Sequence, residues 1–290
     1  MDSKGKNTIY KVFIYVVLLL LAVSIIVPVG WVFLASIKEN SEFYGNPWTL
    51  PKGVYIQNFI DAFQEAKMGD YLLNSVLVTA IALVILLVVA LPAAYVLARY
   101  RFKGSKLCNI MFMGGLFINV NYIVVPIFLM FVDGDKFLRN IFGTGFFLNN
   151  IFIVALVYAS TALPFTIYLL SGFFVSIPKD YEEAAFVDGA GYFKTMFSIM
   201  MPMARPSIVT VILFNFLSFW NEYIIAMTLL TGETKTLPVG LMQLMQAQQA
   251  AANYGRLYAG LVIVMLPTLV LYICVQKKLT EGMSLGGLKG

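Results

Sequence analysis

Long uncharged, apolar stretches separated by short charged segments dominate this chain, and they predict helices that cross a membrane. A helix needs about 20 apolar residues to span the hydrocarbon core. The stretches of sufficient length are 12–37, 71–98, 107–132, 151–174, 206–230 and 257–276. Glu222 is the one charged residue within 206–230. The stretch beginning at 151 follows a predicted loop with Gly143, Gly145, Asn149 and Asn150. We therefore predict an all-α integral membrane protein with six transmembrane helices.

The predicted spans divide the chain into five segments. They are an N-terminal segment 1–11, a first transmembrane helix 12–37, an outer segment 38–70, a transmembrane domain 71–276 and a C-terminal tail 277–290. The transmembrane domain contains a polar loop, residues 176–205, which we call loop 176–205. Helical spacing predicts a short helix at 56–67 in the outer segment, and the polar run 243–250 predicts another on the outer surface.

Basic residues indicate the orientation of the spans. Lysine and arginine are enriched in the cytoplasmic segments of membrane proteins. If both termini are cytoplasmic, 13 of the 20 basic residues lie on the cytoplasmic side. Segment 99–106 contributes four of them and no acid. The first span is too long for a signal peptide and lacks a small-residue cleavage site, which indicates a retained anchor.

Composition narrows the possible chemistry. The chain is 60% hydrophobic and 12% charged, with a mean hydropathy of +0.83, which argues against an ordinary soluble domain. It contains no histidine, and both cysteines, Cys108 and Cys274, lie in apolar runs. We therefore expect no metal site, no disulfide framework and no catalytic residues. The basic residues are dispersed around the spans, so the sequence does not indicate a nucleic-acid partner.

Loop 176–205 reads as a helix, a turn and a second helix. Asp180 and Glu183 have the spacing of a capping box, which predicts that the first helix begins there. Its small, flat face is expected to comprise Tyr181, Ala184 and Ala185, with the acids Glu182 and Asp188 pointing away.

Glycine predicts the turn, and apolar spacing predicts the second helix. Gly189 and Gly191 provide a break, after which Phe193, Met196, Phe197 and Met200 recur at the spacing of an amphipathic helix. Taken alone, this pattern also fits an ordinary interfacial loop.

The residues of this loop resemble a known motif. Glu183, Ala184, Ala185, Asp188, Gly189 and Ala190, followed by Ile199 and Pro202, are similar to the motif of permease subunits in binding-protein-dependent ABC importers; Met201 replaces the usual leucine. Further matches are Asn74-Ser75, Ala93-Ala94-Tyr95 with Ala98-Arg99, Trp220-Asn221-Glu222-Tyr223 and the tail 282–290. Together they resemble the carbohydrate-importing branch, and within it the six-span permease of maltose-type transporters.

That resemblance implies a fold and a set of partners. The implied fold is a type I ABC importer permease core of the MetI-like kind, with cytoplasmic termini, in the bacterial cytoplasmic membrane. The implied partners are a second homologous permease, a dimer of ATPase subunits and an extracytoplasmic sugar-binding protein. ATP and magnesium would be bound by the ATPase, with no cofactor on this chain.

The resemblance also implies roles for particular residues. Glu183, Ala184, Ala185, Asp188, Gly189 and Ala190 would dock into the ATPase, and the tail residues Gly286, Lys289 and Gly290 would reach toward it. The glycine-rich stretch 282–289 lacks the spacing of a phosphate-binding loop.

Polar residues within the spans are candidates for the translocation path. They are Asn119, Asn215, Trp220, Asn221 and Glu222. Intramembrane polar groups either line a path or brace neighbouring helices, and the sequence leaves both roles open. For Asn119, and for Asn121 and Tyr122 beside it, bracing is favoured.

Three other functions remain to be weighed against a sugar importer. The first is an ABC permease for a non-sugar solute. An ion-coupled secondary transporter should show paired intramembrane charges and inverted repeats, whereas Glu222 stands alone. An intramembrane enzyme should show histidine, paired acids or a metal cluster, and the sequence shows none.

Overall fold

The computed structural model describes residues 3–44, 46–64, 66–251 and 253–287, and within these ranges the chain is helical without a β-strand. The α-helices are α1 Ser3–Ser36, α2 Gln57–Gln64, α3 Met68–Arg99, α4 Ser105–Gly115, α5 Val120–Phe142, α6 Ile151–Ser176, α7 Asp180–Val187, α8 Tyr192–Thr195, α9 Met201–Met203, α10 Arg205–Trp220, α11 Ile224–Leu229, α12 Leu237–Ala251 and α13 Tyr254–Gly287. A π-helical turn, Met196–Met200, joins α8 to α9. The all-α prediction is confirmed for the described residues, and α2 and α12 match the two predicted outer helices.

Several helices have the length and apolarity of membrane spans. Within the described ranges, four qualify singly: Tyr10–Ser36, Met68–Arg99, Ile151–Ser176 and Tyr254–Gln276. Two bent pairs raise the number to as many as six if each pair forms one span: Ser105–Gly115 with Val120–Phe142, and Tyr192–Met203 with Arg205–Trp220. The bends are 103° and 74° respectively.

The prediction of a continuous helix over 107–132 is wrong. The chain leaves the helical path at 116–119, where α4 ends and α5 begins in a different direction. A Cβ on Gly115 would lie 2.7 Å from Cγ of Pro164, so α4 packs directly against α6 at this point. The side chain of Asn119 then accepts the backbone N–H of Asn121 at 2.9 Å, which caps the first turn of α5.

The prediction of a continuous helix over 206–230 is also wrong. Helix α10 ends at Trp220, and α11 begins at Ile224. The Glu222 carboxylate accepts the backbone N–H groups of Ile225 at 2.8 Å and Ala226 at 3.0 Å. The first N–H groups of a helix have no partner within it, and a carboxylate placed there favours a new helix start over continuation.

The described contacts divide the chain into two compact units. The first combines Met1–Gly69 with Leu241–Leu266. In it, the buried side chain of Asn58 donates to the backbone oxygens of Ser36 at 2.9 Å and Lys38 at 2.7 Å. The Lys38 ammonium is buried as well, and donates to the carbonyl of Pro47 at 2.8 Å while lying 4.9 Å from the centre of the Trp31 ring. These contacts organise the segment that follows α1.

The second unit combines Asp70–Gly240 with Pro267–Gly290 and contains loop 176–205. Its packing depends on a stripe of fully buried residues along α3, spaced by four: Val78, Ala82, Leu86, Ala90 and Ala94. Three of these are alanines, and small residues allow helices within a membrane to approach closely. Buried residues of α6 and α10 belong to the same core.

Asp135 organises the connection between α5 and α6 in the second unit. Its carboxylate is buried and accepts the backbone N–H groups of Phe146 and Phe147, both at 2.7 Å, and of Leu148 at 3.1 Å. A carboxylate that accepts three N–H groups satisfies donors that the loop could not pair otherwise. The loop predicted from the glycines is confirmed, since α5 ends at Phe142 and the connection runs to α6.

We predict that Asp135→Asn lowers the free energy of unfolding by about 2–3 kcal/mol, because its NH2 group cannot accept the N–H groups that one carboxylate oxygen now accepts. Asp133→Asn is the matched control, since Asp133 is 75% exposed and forms an exposed ion pair with Lys136, and it should cost less than about 0.5 kcal/mol. Thermal unfolding of the full chain in detergent measures both. Equal losses in the two variants would contradict the role given to Asp135.

Candidate functional site

The first helix of loop 176–205 is α7, which begins directly after Lys179 as the sequence predicts. The predicted capping box does not form, because Lys179 occupies the N-cap and no side chain there caps the helix. Three acids, Asp180, Glu182 and Glu183, lie in the first turn instead. Carboxylates near a helix N-terminus interact favourably with its partial positive charge, so the helix start is stabilised electrostatically.

The turn after α7 is a Schellman motif, and it explains the Asp-Gly-Ala sequence. The N–H of Ala190 donates to the carbonyl of Ala185 at 2.9 Å, and the N–H of Gly189 donates to that of Phe186 at 3.0 Å. These are the two hydrogen bonds of that motif, which requires a left-handed residue after the helix. Gly189 has φ +78, a conformation that favours glycine, and its predicted role as a break is confirmed.

The faces of α7 differ in part from the prediction. Tyr181, Glu183 and Ala184 are exposed, and Val187 is 88% exposed. Ala185 was expected on this exposed face, and that is wrong: it is 4% exposed and packs inward on the same side as Glu182. Residues 182 and 185 are three apart and share a side of the helix. Among the other motif residues, Asp188 and Gly189 are exposed and Ala190 is buried.

Glu182 joins α7 to the end of α3. Its carboxylate lies 3.3 Å from Nε of Arg99 and accepts a hydrogen bond from the hydroxyl of Tyr95 at 2.6 Å. The two charged side chains are 10% and 4% exposed. Arg99 also donates from Nη2 to the carbonyl of Ile177, the residue that follows α6, at 2.7 Å. One buried ion pair therefore ties together the ends of α3 and α6 and the start of α7. We call these contacts the Glu182 clamp.

Aromatic side chains surround the clamp. The ring of Tyr95 lies 5.8 Å from Tyr100, 5.5 Å from Phe174 and 6.0 Å from Tyr192. Tyr100 and Tyr192 are themselves 5.2 Å apart, edge to face. Aromatic pairs at these separations add to the stabilisation from burial. They extend the connection from α3 and α6 to the first residue of α8.

The second half of loop 176–205 is helical, and its amphipathic face is rearranged. Met196 and Met200 are buried, whereas Phe193 and Phe197 are 70% and 53% exposed. The prediction placed all four on one face. The π-helical turn Met196–Met200 accounts for the difference, because a π turn contains more residues than an α turn and changes which side chains share a face.

A second constellation lies between α5, α6 and α10. A cavity of about 490 Å³ is lined by residues that include Asn121, Tyr158, Asn215 and Glu222. The hydroxyl of Tyr158 donates to the Glu222 carboxylate at 2.7 Å, across the gap between α6 and the α10–α11 break. Two of the five candidate path residues, Asn215 and Glu222, therefore meet at one cavity.

Of the contacts that the candidate residues Asn215, Trp220 and Asn221 make here, only that of Asn215 joins two helices. Asn215 is buried and donates to Oγ1 of Thr166 on α6 at 3.1 Å. Asn221 donates to the carbonyl of Leu217 at 2.8 Å, and the buried ring of Trp220 stacks on Phe216. Asn119, Trp220 and Asn221 are not among the residues lining the 490 Å³ cavity. Asn121, for which the sequence favoured bracing, is exposed and lines this cavity.

The tail residues are only partly visible. Gly286 lies in the last turn of α13. Lys289 and Gly290 lie outside the described residues. Among the residues that the structure describes, no group of three His, Cys, Asp or Glu side chains is arranged to hold a metal ion.

These features define a helical membrane protein with a short exposed helix, α7. The buried ion pair between Glu182 and Arg99 attaches that helix to the ends of two candidate spans. Residues 90–279 match the family model described as "Binding-protein-dependent transport system inner membrane component". This match covers more than half of the chain, and the chain belongs to that family. The resemblance noted in loop 176–205 is therefore confirmed at the level of the family.

Individual relatives agree with the family match. The chain is 36% identical to the diacetylchitobiose uptake system permease protein NgcG of Streptomyces coelicolor over 273 residues, covering 94% of this chain and 87% of that protein. It is 30% identical to the melibiose/raffinose/stachyose import permease protein MelC of Bacillus subtilis over 257 residues, covering 88% of each.

A solved structure shares the fold. The chain superposes with a TM-score of 0.79 on a chain of a bacterial ABC transporter involved in the import of the acidic polysaccharide alginate, covering 96% of this chain and 98% of that chain at 24% identity. The protein is thus a permease of the MetI-like fold, helical throughout its described residues, in which four to six candidate apolar spans are found.

We predict that Glu182→Ala destabilises the protein by about 3–5 kcal/mol, because it leaves the buried Arg99 guanidinium without its counter-charge. Glu183→Ala is the matched control: it removes the same charge one residue later, from an exposed side chain, and should change stability by less than about 0.5 kcal/mol. Thermal unfolding of the full chain in detergent compares them. Equal stability of the two variants would show that the Glu182 clamp contributes nothing to folding.

Proposed function

We propose that this protein is a membrane-spanning permease subunit of an ATP-driven importer, and that it translocates a carbohydrate delivered by an extracytoplasmic binding protein. Its six spans would lie in a bacterial cytoplasmic membrane with both termini inside, which the distribution of basic residues supports. The observation that carries the proposal is the exposed face of α7, held by a buried ion pair between the ends of two candidate spans.

The substrate class rests on the relatives. NgcG and MelC are named for the import of diacetylchitobiose and of melibiose, raffinose and stachyose, which are all oligosaccharides. These two relatives, named for different sugars, are 36% and 30% identical to this chain. We therefore assign a mono- or oligosaccharide as substrate and leave its identity to the binding protein and the companion permease.

The exposed residues of α7 are the proposed contact with the ATPase dimer. Glu183 and Ala184 face solvent, and Asp188 and Gly189 follow at the exposed turn. The buried members of the motif, Ala185 and Ala190, would support the Schellman turn. The chain itself would be no enzyme, because ATP and magnesium would be bound and ATP hydrolysed on the partner.

The Glu182 clamp suggests how movement reaches the spans. A force applied to α7 by the ATPase would act on Glu182, and through Arg99 on the ends of α3 and α6. A buried ion pair resists separation, because parting the charges leaves each one unpaired in a low-dielectric surrounding. Helix α7 and these helix ends should therefore move together during alternating access.

The cavity between α5, α6 and α10 is the proposed site through which the sugar passes. It offers the Asn121 amide and the Glu222 carboxylate, and hydroxyl groups of a sugar bind to such groups. Phe165 and Phe214, also in its lining, supply apolar faces. Ion coupling through Glu222 is disfavoured, since that carboxylate already accepts three hydrogen bonds that hold α11 in place.

We predict that Glu183→Lys releases the ATPase from the complex, because it reverses the charge of an exposed side chain on the proposed contact. Asp133→Lys is the control, with the same charge change at an exposed position on the proposed outer side. Co-purification of the ATPase with the tagged full chain, together with uptake of radiolabelled sugar into cells, measures the effect.

The result expected is loss of both ATPase and uptake in Glu183→Lys, with both retained in Asp133→Lys. If the Glu183→Lys variant retained the ATPase, α7 would not be part of the ATPase-binding surface. Uptake that persists after ATP depletion would sink the importer assignment and favour an ion-coupled transporter.

We predict that Asn121→Trp blocks uptake while the complex still assembles, because the bulky indole projects into the 490 Å³ cavity and replaces the amide that lines it. Tyr122→Trp is the control, since Tyr122 is 81% exposed and does not line that cavity. Uptake is compared with ATPase co-purification in both variants. Normal uptake by an assembled Asn121→Trp complex would place the sugar path elsewhere.

A further inference from the structure

A cavity beside the Glu182 clamp concentrates positive charge that the transport function does not use. Its volume is about 810 Å³, and its lining comes from the end of α3, the segment that follows, α4 and the residue before α7. Four lining residues are basic: Arg99, Arg101, Lys106 and Lys179. Among the described residues that line it, none is acidic.

Only one of these four charges is balanced within the described part of the chain. Arg99 is paired with Glu182. Arg101, Lys106 and Lys179 are exposed, and none of them has an ion-pair partner among the described residues. Three like charges converging on one cavity repel each other unless an anion is placed between them. The cavity is therefore complementary to a group of negative charge.

The rest of the lining is apolar. Ile110, Met113 and Phe117 line the cavity along and just beyond α4, and Phe117 is 89% exposed. Met113 lies seven residues beyond Lys106, which corresponds to about 10 Å along the helix. The cavity is thus basic at the start of α4 and apolar further along it. A phospholipid has the same profile, with an anionic phosphoryl group adjoining its hydrocarbon chains.

We propose that this cavity binds an anionic phospholipid, with the phosphoryl headgroup among Arg101, Lys106 and Lys179 and an acyl chain along α4. Basic pockets between helices on the cytoplasmic side of a membrane bind such headgroups. The proposal goes beyond the transport function and requires only that segment 99–106 is cytoplasmic.

The apolar lining distinguishes a lipid from an acidic protein surface. A soluble partner could offer carboxylates to the three bases, but its acidic surface would leave Ile110 and Phe117 against polar groups or water. A lipid covers both parts of the cavity with one molecule. Exposed apolar side chains beside a charged cleft indicate a membrane-facing site, since burying them in an acyl chain removes them from water.

The experiment titrates the purified full chain, in a neutral detergent, with phosphatidylglycerol, and counts bound lipid by native mass spectrometry. Phosphatidylcholine and inorganic phosphate are titrated in parallel. The variant is Lys106→Gln with Lys179→Gln, which removes two charges from the cavity. The control is Lys103→Gln with Lys194→Gln, which removes two exposed charges that do not line it.

We expect phosphatidylglycerol to bind more tightly than phosphatidylcholine, and inorganic phosphate not to displace it. At about fivefold per lost charge, the cavity variant should bind phosphatidylglycerol roughly 25-fold more weakly, and the control variant should bind it nearly as the unmodified chain does.

Four results would overturn the proposal. If phosphatidylglycerol and phosphatidylcholine bound equally tightly, the site would not require a negatively charged lipid. If both double variants lost affinity for phosphatidylglycerol equally, the effect would come from net charge and not from the cavity. Displacement by inorganic phosphate at matched concentration would make the cavity a site for soluble phosphate. Unchanged lipid binding with loss of ATPase co-purification in the cavity variant would make the cavity a protein interface.

Discussion

The buried ion pair between Arg99 and Glu182 is the contact on which the arrangement of loop 176–205 depends. Two charges taken out of water are costly unless they pair and their remaining donors and acceptors are satisfied. Here Tyr95 donates to the carboxylate, and the carbonyl of Ile177 accepts from Nη2 of Arg99. Nε of Arg99 lies 3.3 Å from the carboxylate but makes no hydrogen bond among the described residues. The pair contributes little net stability compared with an apolar contact of equal size, but it fixes which face of α7 points inward. The outward face, with Glu183 and Ala184, follows from that choice.

The residues of α7 and its turn have two different roles, one inside the permease and one at its surface. Glu182, Ala185 and Ala190 are buried and hold α7 and its turn on the permease, whereas Glu183 and Asp188 are exposed. A helix of eight residues is too short to be stable alone, so tertiary contacts must hold its shape. The Schellman turn at Gly189 and the clamp at Glu182 anchor its two ends. A partner would therefore meet a surface that is already ordered, which lowers the entropy lost on binding.

Hydropathy predicted the apolar spans well and their breaks poorly, for a physical reason. The length of an apolar stretch shows whether a helix can cross the hydrocarbon core, and this criterion identified α3, α6 and α13 directly. The break at 116–119 depends on a contact distant in sequence, that of Gly115 against Pro164. The break between α10 and α11 is set locally, by Glu222 at the start of α11. It was missed because the residues on both sides of Glu222 are uncharged, so the whole stretch resembled one continuous apolar helix.

In the candidate site, too, the features set by local contacts could be predicted from the sequence, and those set by distant contacts could not. The turn at Gly189 could be predicted from the sequence, because glycine adopts a positive φ angle without steric cost and no distant contact is needed to explain it. The inward position of Glu182 was not, since its partner Arg99 lies 83 residues earlier and no spacing rule joins them. A clue existed in Arg99 itself, a basic residue at the end of an uncharged helix beside a loop rich in acids. A buried base at such a boundary requires a counter-charge, and only the folded arrangement decides which of Asp180, Glu182 and Glu183 supplies it.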